Sequence, residues 1–170
     1  MRTIILLLLL SPFFSLAQKS NVFIKLNDAA GQQIKGEAVL KGNERSIEVL
    51  SFSQAGKNNS QLTFSMNISG AAADLKRAMN SGSPLLNGIL AVTQPNGNGA
   101  PVIAYTIKME NIQVNSCAES MGCNGVMTTT TIITATRIGW TYYQTDAFGR
   151  SSVSRKYGFD NDSGKEWTNF

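Results

Sequence analysis

There is no histidine among the 170 residues, only 2 cysteines and 4 prolines, and charged residues make up just 15% of the chain. Without histidine, the commonest general base, the usual orienting partner of a nucleophilic serine or cysteine, and the commonest zinc ligand are all missing. Familiar hydrolase triads and histidine-based metal sites are therefore excluded. A serine nucleophile would need lysine as its partner, yet no serine stands three residues before a lysine, and no Gly-x-Ser-x-Gly elbow occurs. Paired carboxylates for glycoside hydrolysis are not singled out by any spacing. Charge of one sign is also scarce: 15 basic residues face 11 acidic ones, for a net charge of +4. The basic residues are scattered or sit in pairs such as Lys76-Arg77 and Arg155-Lys156, without the stripe that follows a phosphate backbone, so nucleic acid is excluded as a partner.

The one long apolar run is Ile4–Leu10, preceded by Arg2 and followed by Ser11-Pro-Phe-Phe-Ser-Leu-Ala17. It falls short of the roughly 20 apolar residues that span a bilayer, and small residues at Ser15 and Ala17 suit a signal peptidase. Residues 1–17 are predicted to be a secretory signal cleaved after Ala17. The residue that follows is Gln18 and not cysteine, so no lipid or membrane anchor is expected, and residues 18–170 form a single exported domain. An exported chain meets an oxidising compartment, so Cys117 and Cys123, held in the segment Cys117-Ala-Glu-Ser-Met-Gly-Cys123, are expected to form a local disulfide. Closing so short a loop would stabilise the fold by about 2 kcal/mol.

What is present in quantity is alternation. Leu62-Thr-Phe-Ser-Met-Asn-Ile68 places an apolar side chain at every second residue, and the same period recurs in Val22–Leu26, in Ile103–Met109 and in the β-branched stretch Thr128–Thr136. Turn-forming clusters separate these stretches: Asp28–Gly31, Lys57–Ser60, Pro95–Pro101 and Asp146–Gly149. One segment reads differently. Ser69 can cap a helix over about residues 70–81 that Gly82 can end, with Leu75, Ala78 and Met79 on its packing face and Asp74, Lys76 and Arg77 outward. The domain is predicted to be all-β with one flanking helix.

Eight aromatic residues crowd the final stretch: Trp140, Tyr142, Tyr143, Phe148, Tyr157, Phe159, Trp167 and Phe170. The expectation is that Trp140 and Tyr142 share one face of a strand, that Tyr157 belongs to its hairpin partner, and that these rings fill a core. The run Asp160-Asn-Asp-Ser-Gly-Lys-Glu166 has a calcium-loop flavour but stops at Phe170, short of the bidentate glutamate an EF-hand requires, and reads as a polar turn. No catalytic, cofactor-binding or metal-ligating residue is selected.

Taken in order, Phe23-Ile-Lys-Leu26, Ile34-Lys-Gly-Glu37 and Ile47-Glu-Val-Leu-Ser-Phe-Ser53 resemble the opening strands of the haemolysin-coregulated protein (Hcp) family, the tube subunits of type VI secretion systems. Tyr105-Thr-Ile-Lys-Met-Glu-Asn-Ile112 is similar to that family's strand after the helix. Arg137-Ile-Gly-Trp-Thr-Tyr142, Thr145-Asp-Ala-Phe-Gly-Arg150 and Tyr157-Gly-Phe-Asp160 resemble its closing hairpin. The resemblance implies a partly open β-barrel of antiparallel strands with one flanking helix. It further implies a non-enzymatic bacterial protein that forms homohexameric rings by pairing edges between neighbours and carries secreted effector proteins in the lumen. Two features depart from the family: the signal at residues 1–17, which would place the protein in the periplasm or outside the cell, and the short polar loop Gln54–Gln61, where the family has an extension that stacks ring on ring. The alternative from the residues alone is an exported binding module that holds a glycan or surface partner through C-terminal aromatics such as Trp140 and Trp167.

Overall fold

A computed structural model describes residues 20–96, 101–123, 125–146 and 148–170. The predicted signal at residues 1–17 lies outside the described residues. The chain runs β1 (Asn21–Asn27), β2 (Ile47–Val49), β3 (Ser51–Ala55), a single 3-10 turn (Lys57–Asn59), β4 (Gln61–Asn67), α1 (Gly70–Ser81), β5 (Leu85–Gln94), β6 (Val102–Met121), β7 (Met127–Thr145), β8 (Ser151–Asp160) and β9 (Lys165–Glu166). All pairings are antiparallel, in the order β2-β1-β5-β6-β7-β4-β3, with β8 added beside β7 and β9 beside β8. The two ends of that order, β2 and β3, are neighbouring stretches of chain separated only by Leu50. The sheet therefore curls until its edges meet through a covalent step, and the hydrogen-bonded ladder itself stays open there. Leu50 donates its amide to Ser65 O at 2.8 Å, and the inward set shifts from Ile47 and Val49 to Phe52 and Gln54, the signature of a bulge.

The expected alternation is met in β1 and β4, where Ile24, Leu26, Leu62, Phe64 and Met66 are fully buried. The stretches Ile103–Met109 and Thr128–Thr136 turn out to be parts of two much longer strands, β6 of 20 residues and β7 of 19. Their inward sets change phase midway. Ile107 and Met109 face inward opposite Trp140 and Ile138, then Ile112 and Val114 opposite Ala135 and Ile133. The skipped pair is Asn111 and Thr136. Asn111 takes φ 49°, a left-handed value that asparagine tolerates better than most residues, and its amide donates to Thr136 Oγ1 at 2.9 Å. A second slip at Asn115 returns Cys117 to the inside, opposite Thr131. By contrast, Ile34–Glu37 forms no regular strand: Ile34 bonds back to Leu26 O, and Gly36 bonds across an irregular loop to Arg45 O.

Helix α1 spans the predicted residues, with Ala71, Ala72 and Leu75 buried and Ala78 and Met79 partly buried against the same core. Gly82 ends it at φ 65°, as a left-handed C-cap requires, whereas Ser69 stands at the N-cap with no bond from its hydroxyl. The helix lies along the Ile112–Met121 half of β6, where Lys76 pairs with Glu119 at 2.5 Å and Cys117 Sγ sits 3.9 Å from Ala72 O.

That placement corrects the expected disulfide. Cys117 is buried in β6, Cys123 is exposed in the β6–β7 turn, and both are free. From Cys117 to Met121 the chain is extended at about 3.3 Å per residue, which carries Cys123 past the 7 Å or so of Cα separation that a bridge spans.

On the outward face, the C-terminal segment covers the top of β7 and β8. Gly139 and Gly158 are register partners, and the Phe170 ring lies on both. A Cβ at Gly139 would meet ring atoms at 2.5 Å, while one at Gly158 would meet the ring at 2.4 Å and the backbone Trp167 O at 2.5 Å. Trp167 packs against Phe170 with centroids 4.8 Å apart, Lys156 Nζ lies 4.2 Å from the Phe170 centroid, and the same ammonium donates to Phe170 O. Gly139→Ala is expected to lower stability by about 1–3 kcal/mol through overpacking, and in a Phe170→Ala background the cost should nearly vanish. Gly158→Ala should remain destabilising in both backgrounds, because a backbone carbonyl cannot be trimmed away. Denaturant melts of the three single and two double variants decide this, and additive costs for Gly139→Ala and Phe170→Ala would refute the seat.

Candidate functional site

Where the hairpins of β6, β7 and β8 pass β3, cross-strand pairing assembles the aromatic residues. Register places Tyr105 opposite Tyr142 and Trp140 opposite Tyr157, with ring centroids 4.8 Å and 5.8 Å apart, the second pair stacked within 10° of parallel. Trp140 and Tyr142 share a face and Tyr157 lies on the hairpin partner, as the alternation predicts. Beneath them, Gln54 of β3 is the polar anchor. Its Oε1 accepts from Trp140 Nε1 at 3.1 Å and from the Tyr105 hydroxyl at 3.3 Å, and its Nε2 donates to Asn59 O at 3.2 Å. Burial, followed by the neighbouring Tyr142 hydroxyl, pushes the Tyr105 phenol well above its ordinary value, so it stays a hydrogen-bond donor. Gln54→Leu would strand two partly buried donors, at up to about 1–3 kcal/mol each. The variant should lose stability and red-shift Trp140 fluorescence, whereas Gln54→Glu, which keeps an acceptor there, should lose less.

The structure divides the eight C-terminal aromatics and does not gather them into one platform. Trp140 is only 7% exposed and Trp167 only 9%, so neither tryptophan named for glycan binding offers a face to a ligand; Trp140 belongs to the core and Trp167 to the outward seat of Phe170. Phe148 lies at the β7–β8 turn with Arg150 5.4 Å from its centroid. Phe148 is the most exposed of the eight, and the open rings beside Trp140 are Tyr142 and Tyr157, each about half exposed. Their signal in the sequence was the alternation that paired them with Trp140. What it lacked was the position of β3, whose loop residues Asn58 and Asn59 reach the same mouth from far away in the chain.

The charged residues serve turns and ladders. Outward of the skipped pair, Arg137 bridges Glu110 at 3.4 Å and Asp160 at 3.0 Å. Asp160 also accepts from the Asp162 and Ser163 amides, so the supposed calcium loop is a turn whose lead carboxylate is already occupied. Among the described residues, no group of three or more His, Cys, Asp or Glu side chains could hold a metal ion, and no helix is long and apolar enough to cross a membrane. The Ser163 amide, with the Arg137 guanidinium adding to it, holds the Asp160 carboxyl below its ordinary value and overcomes desolvation. The stabilisation this brings is complete above pH about 4 and disappears as pH falls through the lowered folded value. Asp160→Asn keeps an acceptor but loses the charge. It should melt lower than the unmodified protein at pH 7 and converge with it at acid pH, and a pH-independent gap would refute the ion-pair role.

This geometry, an antiparallel sheet curled on itself with helix α1 alongside, can be set beside known proteins. The family model described as "Type VI secretion system effector, Hcp" matches residues 23–142. The chain belongs to the Hcp family. Solved structures agree on the fold. Hcp1 from Salmonella typhimurium superposes with a TM-score of 0.71 at 21% identity, covering 87% of this chain and 99% of that one. A structure described as a type six secretion system protein gives 0.75 at 19% identity, covering 88% and 100%. A type VI secretion system effector from Yersinia pestis gives 0.68 at 18% identity, covering 82% and 98%. No curated protein sequence matches. Within the matched span fall Gln54, Tyr105, Trp140 and Tyr142, while Tyr157 and the Phe170 seat lie beyond it.

Proposed function

We propose that this Hcp-family chain is a non-catalytic secretion subunit, exported through residues 1–17, that associates head to tail into hexameric rings able to carry effector proteins in their lumen. The observation that carries the reading is the family match over Phe23–Tyr142 on a barrel whose outer edges remain available. β8 pairs with β7 along one edge, while β9 engages only Phe159 and Asp160 on the other, so Ser151–Tyr157 have no strand partner there among the described residues. Unpaired edges are a liability unless something covers them, and a cyclic assembly of identical subunits covers every one in the same way. The exposed side chain of Val153 on that strand would gain burial in such a contact. The absence of histidine and of any paired reactive group fits a role that performs no chemistry.

The short connection between β3 and β4, a single 3-10 turn over Lys57–Asn59, leaves little chain for gripping a second ring. The reading therefore favours separate rings over a continuous tube. Light scattering on a sizing column, with the full chain expressed in a bacterium and recovered from the periplasm or medium, tests both parts. A mass near that of a hexamer and a mature N-terminus at Gln18 are expected. A monomer at every concentration would overturn the ring, and a protein recovered only from the cytoplasm with Met1 intact would overturn export.

A further inference from the structure

The mouth between β3, β7 and β8 holds an open cavity of about 330 Å3, at the low end for small-ligand sites. Its floor needs nothing from a ligand, since Gln54, Trp140 and Tyr105 satisfy one another. Its rim is different. Tyr157 turns one face onto Trp140 and stands 53% exposed, Tyr142 stands 50% exposed beside it, and Asn58 and Asn59 face them across the opening. Both asparagines line the cavity at positive φ, 54° and 50°, on a backbone that few residues other than glycine accept, and the Asn58 amide nitrogen donates to Asn161 Oδ1 at 3.2 Å, so its oxygen is the group it has to offer a ligand. No charged side chain lines the cavity.

We infer that this cup is a binding site for a neutral saccharide, which would lay its C–H face on Tyr157 and Tyr142 and turn its hydroxyls to the Asn58 and Asn59 amides. A ligand for these walls needs a flat apolar face and an uncharged polar edge. Carboxylates, phosphates and amines find no counter-charge among the lining residues. Sugars with equatorial substituents, such as β-linked glucose or N-acetylglucosamine, combine both properties, and the two amides between them supply a donor and an acceptor to match hydroxyls. A proline-rich peptide also packs on tyrosine, but it calls for an extended groove and not a bounded cup. The inference does not depend on ring assembly.

The test is a fluorescence titration of the purified protein with cello- and chito-oligosaccharides, since Trp140 beneath Tyr157 reports occupancy. A saturable change is expected. Tyr157→Ala should weaken binding about tenfold by removing the stacking face, while Tyr157→Phe should retain it. Asn59→Gly removes the amide yet keeps the left-handed backbone, and should weaken binding about fivefold. Phe148→Ala, at the far turn, should leave it unchanged. Circular dichroism of each variant separates lost binding from lost fold. Co-sedimentation with insoluble cellulose, chitin and peptidoglycan then distinguishes a wall polymer, which would pellet the protein, from free oligosaccharides, which would bind only in solution. No saturable change with either series, an affinity untouched by Tyr157→Ala, or a response to a proline-rich peptide alone would overturn the inference. Light scattering on the same samples keeps this outcome apart from that of the ring.

Discussion

The ladder between β6 and β7 is the constraint on which the rest of the molecule depends. These two strands pair from Tyr105–Tyr142 to Met121–Met127, and the other strands attach to their edges directly or through a neighbour. β5 takes the upper edge of β6 and α1 packs along its lower half, while β4 takes the lower edge of β7 and β8 the upper. A ladder this long could not stay straight without presenting polar residues to the core. The skipped Asn111–Thr136 pair and the extra residue at Asn115 reset which side chains face inward, so that one continuous hairpin serves two differently oriented packing surfaces.

Those same resets explain what could be read from the sequence and what could not. Where the period of two is unbroken, as in Leu62–Ile68, the strand was visible from its residues alone, and the helix was visible from its caps and apolar face. Where the phase slips, a period-based reading stops: Ile103–Met109 looked like a complete short strand because Ile112 and Val114 fall on the wrong beat. The cysteine pair misled for a related reason. Spacing in the sequence suggested a closed loop, but Cys117 is committed to a strand whose rise separates it from Cys123. The candidate site was half legible. Trp140, Tyr142 and Tyr157 announced their pairing, whereas Gln54, Asn58 and Asn59 carry no local signal and acquire meaning only when β3 is brought alongside.

Asp146 and Asp160 are occupied by backbone amides and by the guanidinium groups of Arg150 and Arg137. The partly buried Tyr105 is held as a neutral donor. Specificity in such a protein must come from shape, from apolar ring faces and from uncharged hydrogen-bonding groups, which is why the aromatic mouth and the unpaired strand edges carry the functional interest.

The junction at Leu50 has a mechanical consequence. Because β2 and β3 are joined by chain and not by a hydrogen-bonded ladder, the circumference of the barrel is secured by covalent bonds at one point on its wall. Leu50 is also half exposed. A single proteolytic nick there would leave β2 paired as a strand only with β1 and β3 only with β4. The barrel would become a curled ribbon with two fresh edges, its wall opened along a seam that no thermal fraying of a terminus could reach.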